Sequence, residues 1–146
     1  PEAVRAALRA RHIGILMQSE NLFDHLTVEA NMKFQMSLAG QIEPKTIDGL
    51  LDTVGLAPRR HARPSQLSGG EAARAGLAVA LSANPHVLLA DEPTAEVDAA
   101  TEAAILAHLL DRCRGGAAVL IATHSSALAA QAHRLLRIRD GRLIHD

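Results

Sequence analysis

The sequence predicts an α/β fold built on a mostly parallel sheet. Three observations carry that expectation. Helix-like and strand-like segments alternate from 69 to 132. The runs 87–90 and 117–122 are unbroken and apolar, the pattern of strands covered on both faces. Each run ends in polar residues, "DEP" at 91–93 and "THS" at 123–125, where such sheets place their ligands.

The elements follow in order. Residues 1–11 are rich in Ala and Arg and predict a short helix. Apolar residues at 13–17 predict a buried strand, closed by the polar break at 18–21. Thr27 can cap a helix over about 28–38, ended by Gly40. Glu43 and Pro44 open another, with Leu50, Leu51 and Val54 as its apolar stripe and Gly55 closing it. A basic loop at 57–66 leads to Ser68, which forms a capping box with Glu71 and starts a helix over about 69–82. Asn84-Pro85 ends it before the strand at 87–90. A loop at 93–98, a helix over about 99–111 and the break Gly115-Gly116 precede the strand at 117–122. Ser125 caps a short helix to about 132, and a hairpin pairs 135–139 with 142–144 around Asp140-Gly141.

Composition narrows the function. The 146 residues suffice for a core and carry a net charge of −1, which gives no support to a nucleic-acid partner. The aromatic residues are Phe23 and Phe34, too few for a base-stacking platform. Cys113 is the single cysteine and the eight histidines lack ligand spacing, so thiolate zinc sites and disulfide frameworks drop out. No apolar run is long enough to span a bilayer.

The strand ends hold the chemistry. Asp91 can hold Mg²⁺ directly or through water, and Glu92 can orient or deprotonate a water. His124 can reach a phosphate oxygen, and Gln18 can bind metal and attacking water together. Taken singly, each has a plainer reading. Asp91 and Glu92 serve equally well as solvated turn residues, His124 as a surface histidine, and Asp98 as a helix cap. Gly69 and Gly70 weaken a helix start, yet they let a phosphate approach its N–H groups.

The order of these motifs resembles the ATP-binding cassette (ABC) ATPases. "LSGGE" at 67–71 resembles the family signature, "VLLADEP" at 87–93 its Walker B strand, and "EVD" at 96–98 its D-loop. "IATHS" at 121–125 resembles the switch-histidine region, and "ILMQSENLFDHLTVEAN" at 15–31 the Q-loop and the start of the helical subdomain. The resemblance implies a P-loop NTPase-like ABC ATPase fold, incomplete at its N-terminus. A helical subdomain over about 19–82 would be inserted between the Q-loop strand and the Walker B strand. It implies ATP and Mg²⁺ as cofactors, Asp91 and Gln18 as metal residues, and Glu92 as general base. His124 would sense the γ-phosphate and Gln18 would take part in catalysis. Ser68, Gly69 and Gly70 would meet the ATP of a partner ATPase domain in a head-to-tail dimer, with Asp98 acting across the interface.

Two departures stand out. Glu71 replaces the usual Gln of the signature and reads as helix capping, since a carboxylate repels phosphate. No G-x-x-x-x-G-K-[ST] is present, so the 146 residues are expected to be the C-terminal part of an ATPase domain and inactive when taken alone. In its complete form the expected function is the ATPase of a membrane transporter, peripheral on the cytoplasmic side and partnered by transmembrane subunits or domains. The resemblance is strongest to lipoprotein-releasing and macrolide-type exporters and extends to amino-acid importers. The alternatives are a DNA-repair or chromosome-maintenance ATPase and a non-hydrolysing remnant that only binds a partner.

Overall fold

The computed structural model describes residues 1–95 and 97–144. Glu96 of the D-loop-like "EVD" lies outside the described residues. Helix α1 (Glu2–His12) leads into strand β1 (Ile13–Leu16), and helices α2 (Val28–Leu38) and α3 (Pro44–Thr53) follow. Two short 3-10 turns carry the basic loop to α4 (Gly69–Ser82). Strand β2 (Val87–Asp91), α5 (Ala99–Arg114), β3 (Ala118–Ala122) and α6 (Ser126–Gln131) complete the alternation. Strands β4 (Arg137–Arg139) and β5 (Arg142–Ile144) form the expected antiparallel hairpin.

Most boundaries fall where local chemistry puts them. The Thr27 hydroxyl accepts from Ala30 N, the Ser68 hydroxyl from Glu71 N and the Ser125 hydroxyl from Leu128 N, each closing a helix start. Gly40 and Gly55 follow their helices at φ 77° and 69°, the left-handed turn that glycine adopts freely. Helix α5 runs a turn further than the sequence suggests, to Arg114, because nothing breaks it before Gly115.

The sheet is parallel, in the order β1-β2-β3. Its rungs run Ile13–Val87–Ala118, Gly14–Leu88–Val119, Ile15–Leu89–Leu120 and Leu16–Ala90–Ile121. Alternate rungs face opposite sides. Leu16, Leu88 and Ala90 face the core, which they share with Val28, Met32, Ile47, Leu51, Leu77, Ile105 and Leu109. Helix α4 packs tightly on β1, where a Cβ added to Gly14 would come within 2.4 Å of the Ala80 carbonyl oxygen. Only Gly fits that crossing.

Side chains of the other face are more exposed among the described residues. Ile15 is 57% exposed and Leu120 62% exposed. Among the described residues, the apolar core lies on the side carrying α4 and α5. Among the described residues no helix is long and apolar enough to cross a membrane.

Candidate active site

Parallel pairing in register makes the chain leave all three strands at one edge. Gln18, the Asp91-Glu92 pair and Thr123-His124 therefore follow neighbouring strand exits along a single rim. Glu92 N donates to the Ala122 carbonyl at 2.8 Å, carrying the pairing one residue past β2. Glu92 itself sits at φ 44°, a left-handed backbone that is uncommon for a side chain of this size.

The Glu92 carboxylate is held at both oxygens. Oε1 accepts from His124 N at 3.0 Å and lies 2.7 Å from His124 Nδ1, so that nitrogen carries the hydrogen. Oε2 accepts from the Thr123 hydroxyl at 3.0 Å. Burial by itself would raise the pKa of this carboxyl. Hydrogen bonds from His124 and Thr123, with the attraction of the imidazole, outweigh it and hold the group below its ordinary 4.5. Asp91 is exposed beside it.

A second cluster forms where α4 and α5 begin. Ser68 caps α4 and the Glu71 carboxylate reaches back to Ser68 N at 2.8 Å, the full capping box. Arg59 adds Nε at 3.0 Å and Nη2 at 3.3 Å to the same carboxylate. The hydrogen bond from Ser68 N and then Arg59 hold Glu71 below its ordinary pKa. Asp98 caps α5, accepting from Thr101 N and from the Thr101 hydroxyl, both at 2.9 Å. The Thr101 hydrogen bonds lower its pKa.

Gly69 and Gly70 have different surroundings. A Cβ on Gly70 would lie 2.9 Å from Thr101 Oγ1 and 3.6 Å from Asp98 Oδ2, so glycine is needed for α4 to meet α5. A Cβ on Gly69 would meet nothing within 4 Å. The structure thus joins Gly70 to Asp98 through Thr101, next to the Ser68 cap, and joins Glu92 to His124. Sequence reasoning missed Thr101 and the role of Thr123. It also missed Asn21, whose amide accepts from Met17 N at 2.8 Å and donates to Met17 O at 2.7 Å, fixing the backbone just before Gln18. Asn at a strand exit is the signal that could have found it.

The residues present fit a magnesium–phosphate ligand. Asp91 and Gln18 offer hard oxygen donors, and Mg²⁺ takes only one or two protein ligands, keeping water for the rest. Among the described residues no three His, Cys, Asp or Glu side chains converge on a metal-sized space. At the α4 start the Ser68 oxygen accepts from Glu71 N, which leaves its hydrogen to donate. The amides of Gly69 and Gly70 lie in the first turn, where helix N–H groups lack helical partners.

The family profile described as ABC transporter matches residues 3–95, well over half of the chain. The chain belongs to the ABC transporter family. The macrolide export ATP-binding/permease protein MacB of Sodalis glossinidius is 38% identical over 149 residues, covering 100% of this chain and 23% of the relative. The lipoprotein-releasing system ATP-binding protein LolD of Maricaulis maris is 40% identical over 146 residues, covering 97% of this chain and 64% of the relative. The dimeric ATP-binding cassette MJ0796, in a post-hydrolysis state bound to ADP and Pi, superposes with a TM-score of 0.89 at 27% identity. That match covers 99% of this chain and 66% of the cassette. The fold is thus the α/β fold of ABC cassettes, and the chain spans less than a quarter of MacB and under two thirds of LolD.

Proposed function

We propose that this chain is part of an ATP-hydrolysing ABC domain that drives a membrane transporter. One observation carries the reading: Glu92, directly after Asp91, is fixed at a strand exit in a left-handed backbone with its carboxylate against His124. A burial-resistant, ionised carboxylate at that place is suited to accept a proton from a water, and fixed position is what makes such a base effective. Asp91 and Gln18 would hold Mg²⁺, which when bound neutralises charge on phosphate oxygens. His124, largely exposed and tied to Glu92, would exchange that contact for a γ-phosphate oxygen. Ser68, Gly69 and Gly70 would donate to the nucleotide of a second ATPase domain, with Asp98 beside that interface.

The name of the MacB relative includes a permease, and the MJ0796 cassette is dimeric. Both support an assembly of two ATPase domains on membrane-spanning partners, with this chain peripheral on the cytoplasmic face. Phe23 and Phe34, both exposed, stack edge to face at 5.2 Å close after the Gln18 loop. An exposed aromatic pair of this kind is suited to receive an apolar helix of the membrane partner. The segment 19–82 would act as the helical subdomain carrying that pair.

The test is ATP-driven dimerisation of the full-length protein. Glu92→Gln should run as a dimer in gel filtration with Mg²⁺-ATP and as a monomer without it. Asp91→Asn should lose the dependence on Mg²⁺. A Glu92→Gln protein that stays monomeric at saturating ATP would remove the support for this reading.

A further inference from the structure

Two loops must keep their relative position for Glu92 to meet His124: the one leaving β2 and the one leaving β3. A side chain outside both loops touches each of them. Glu102 stands in the first turn of α5, and its Oε1 accepts from the Ser125 hydroxyl at 2.8 Å and from the Thr94 hydroxyl at 3.4 Å. Ser125 directly follows His124, and Thr94 is two residues past Glu92. The start of α5 is itself rigid, capped by Asp98 onto Thr101 and bonded from Glu102 N to the Asp98 carbonyl at 2.9 Å.

We propose that Glu102 is the positioning residue of the Glu92–His124 pair; the proposal rests on the assignment of Glu92 as general base. One carboxylate oxygen on a fixed helix pins both loops, so the left-handed turn at Glu92 and the His124 loop cannot drift apart. Thr94 is buried, so loss of its acceptor also leaves a hydroxyl without its partner in the loop that follows the base. A plainer role exists for an acidic residue here, since any carboxylate in a first turn favours the helix dipole. The two roles separate by substitution. Glu102→Gln removes the charge but keeps an oxygen that can accept from both hydroxyls.

The experiment uses the full-length protein with Glu102→Ala, Glu102→Gln, Ser125→Ala and the double variant Glu102→Ala/Ser125→Ala, beside Glu92→Gln. Steady-state hydrolysis should show kcat falling between about 10- and 10²-fold for Glu102→Ala, the scale of a small misplacement of a catalytic group, with KM for ATP within about twofold. Glu102→Gln should recover most of the loss, and the double variant should be no slower than Glu102→Ala. The backbone amide proton of His124, which donates to Glu92, should shift upfield in the NMR spectrum of Glu102→Ala and stay in place in Glu102→Gln. Wild-type kcat with an unmoved His124 amide in Glu102→Ala would overturn the proposal. So would a Glu102→Gln protein as slow as Glu102→Ala, because the charge at the helix start would then be what matters. If Glu92→Gln keeps wild-type turnover, the base assignment fails, and the His124 amide alone decides whether Glu102 positions the pair.

Discussion

Glu71 and Glu92 are the same residue in nearly the same degree of exposure, with side chains 21% and 22% exposed. Both carboxyls are held below their ordinary pKa. What differs is the company each keeps. Glu71 is bound by a guanidinium that never loses its charge and by the backbone of its own helix start. Glu92 is bound by a backbone amide, as Glu71 is, but its side-chain partners are an imidazole and a hydroxyl, on a backbone in a strained region. A low pKa therefore does not mark a catalytic carboxylate. On the proposed assignment of Glu92 as base, what sets it apart is side-chain partners that can move away and let its oxygens turn to a water.

Hydrolysis breaks the comparison most sharply. In the full-length protein Glu92→Gln should lower turnover by roughly 10²-fold or more, the scale of a lost general base. Glu71→Gln should stay within about threefold of wild type, since an amide still accepts from Ser68 N and Arg59. A phosphate-release assay at saturating Mg²⁺-ATP measures both. Equal losses would mean that the two carboxylates share one role and that removable partners explain nothing.

The second contrast lies within the signature segment. Gly70→Ala should destabilise the protein by about 1–3 kcal/mol, the usual cost of forcing a methyl into a filled space, here against Thr101 Oγ1. Gly69→Ala should be neutral or stabilising by up to about 1 kcal/mol, since Ala favours a helix and that Cβ meets nothing. Urea unfolding of the two variants decides it. Equal stability would show that α4 can shift away from α5 without cost. If Gly69→Ala also slows hydrolysis while Gly70→Ala mainly loses stability, then Gly69 is the glycine that a phosphate approaches.

These contrasts mark what could and could not be read along the chain. The helix starts were legible because Thr27, Ser68 and Ser125 each carry their own cap, a local signal. The strand exits were legible because Asp91-Glu92 and Thr123-His124 are the polar pairs that end the apolar runs. The pairing of Gly70 with Thr101 was not, since it joins residues on two helices and neither reads as unusual alone. Glu102 was hidden for the same reason: a carboxylate in a first turn is ordinary until the loops at 94 and 125 fold over it.

A smaller effect sharpens the account of the helix start. Ser68→Ala should cost about 1 kcal/mol, the typical loss for a capping hydroxyl, while Glu71 keeps its bond to Ser68 N. Equilibrium unfolding reads it. A loss well above that range would indicate that the hydroxyl also supports Arg59 and the loop it anchors.

The smallest effect concerns pH, and it bears on both glutamates. A carboxyl held below its ordinary value of 4.5 stabilises the fold above that value, where the unfolded chain is also ionised. As pH falls below 4.5 the unfolded chain takes up protons first, and the contribution is lost progressively as the folded carboxyl in turn protonates. Acid should therefore lower the melting temperature of the protein below about pH 4.5, in addition to any general effect of charge. Because both side chains stand close to solvent, each share is small and is best seen by difference. Glu71→Gln and Glu92→Gln should each flatten part of the acid limb and leave the region above pH 6 unchanged in slope. Carboxyl ¹³C shifts of the two residues, followed through the same titration, give the midpoints directly. Midpoints at or above 4.5 would show that burial outweighs the hydrogen bonds. At Glu92 that result would remove the ionised base from the working pH only if the shift carried it several units higher, whereas at Glu71 it would mean that Ser68 N and Arg59 do not hold the carboxylate in solution.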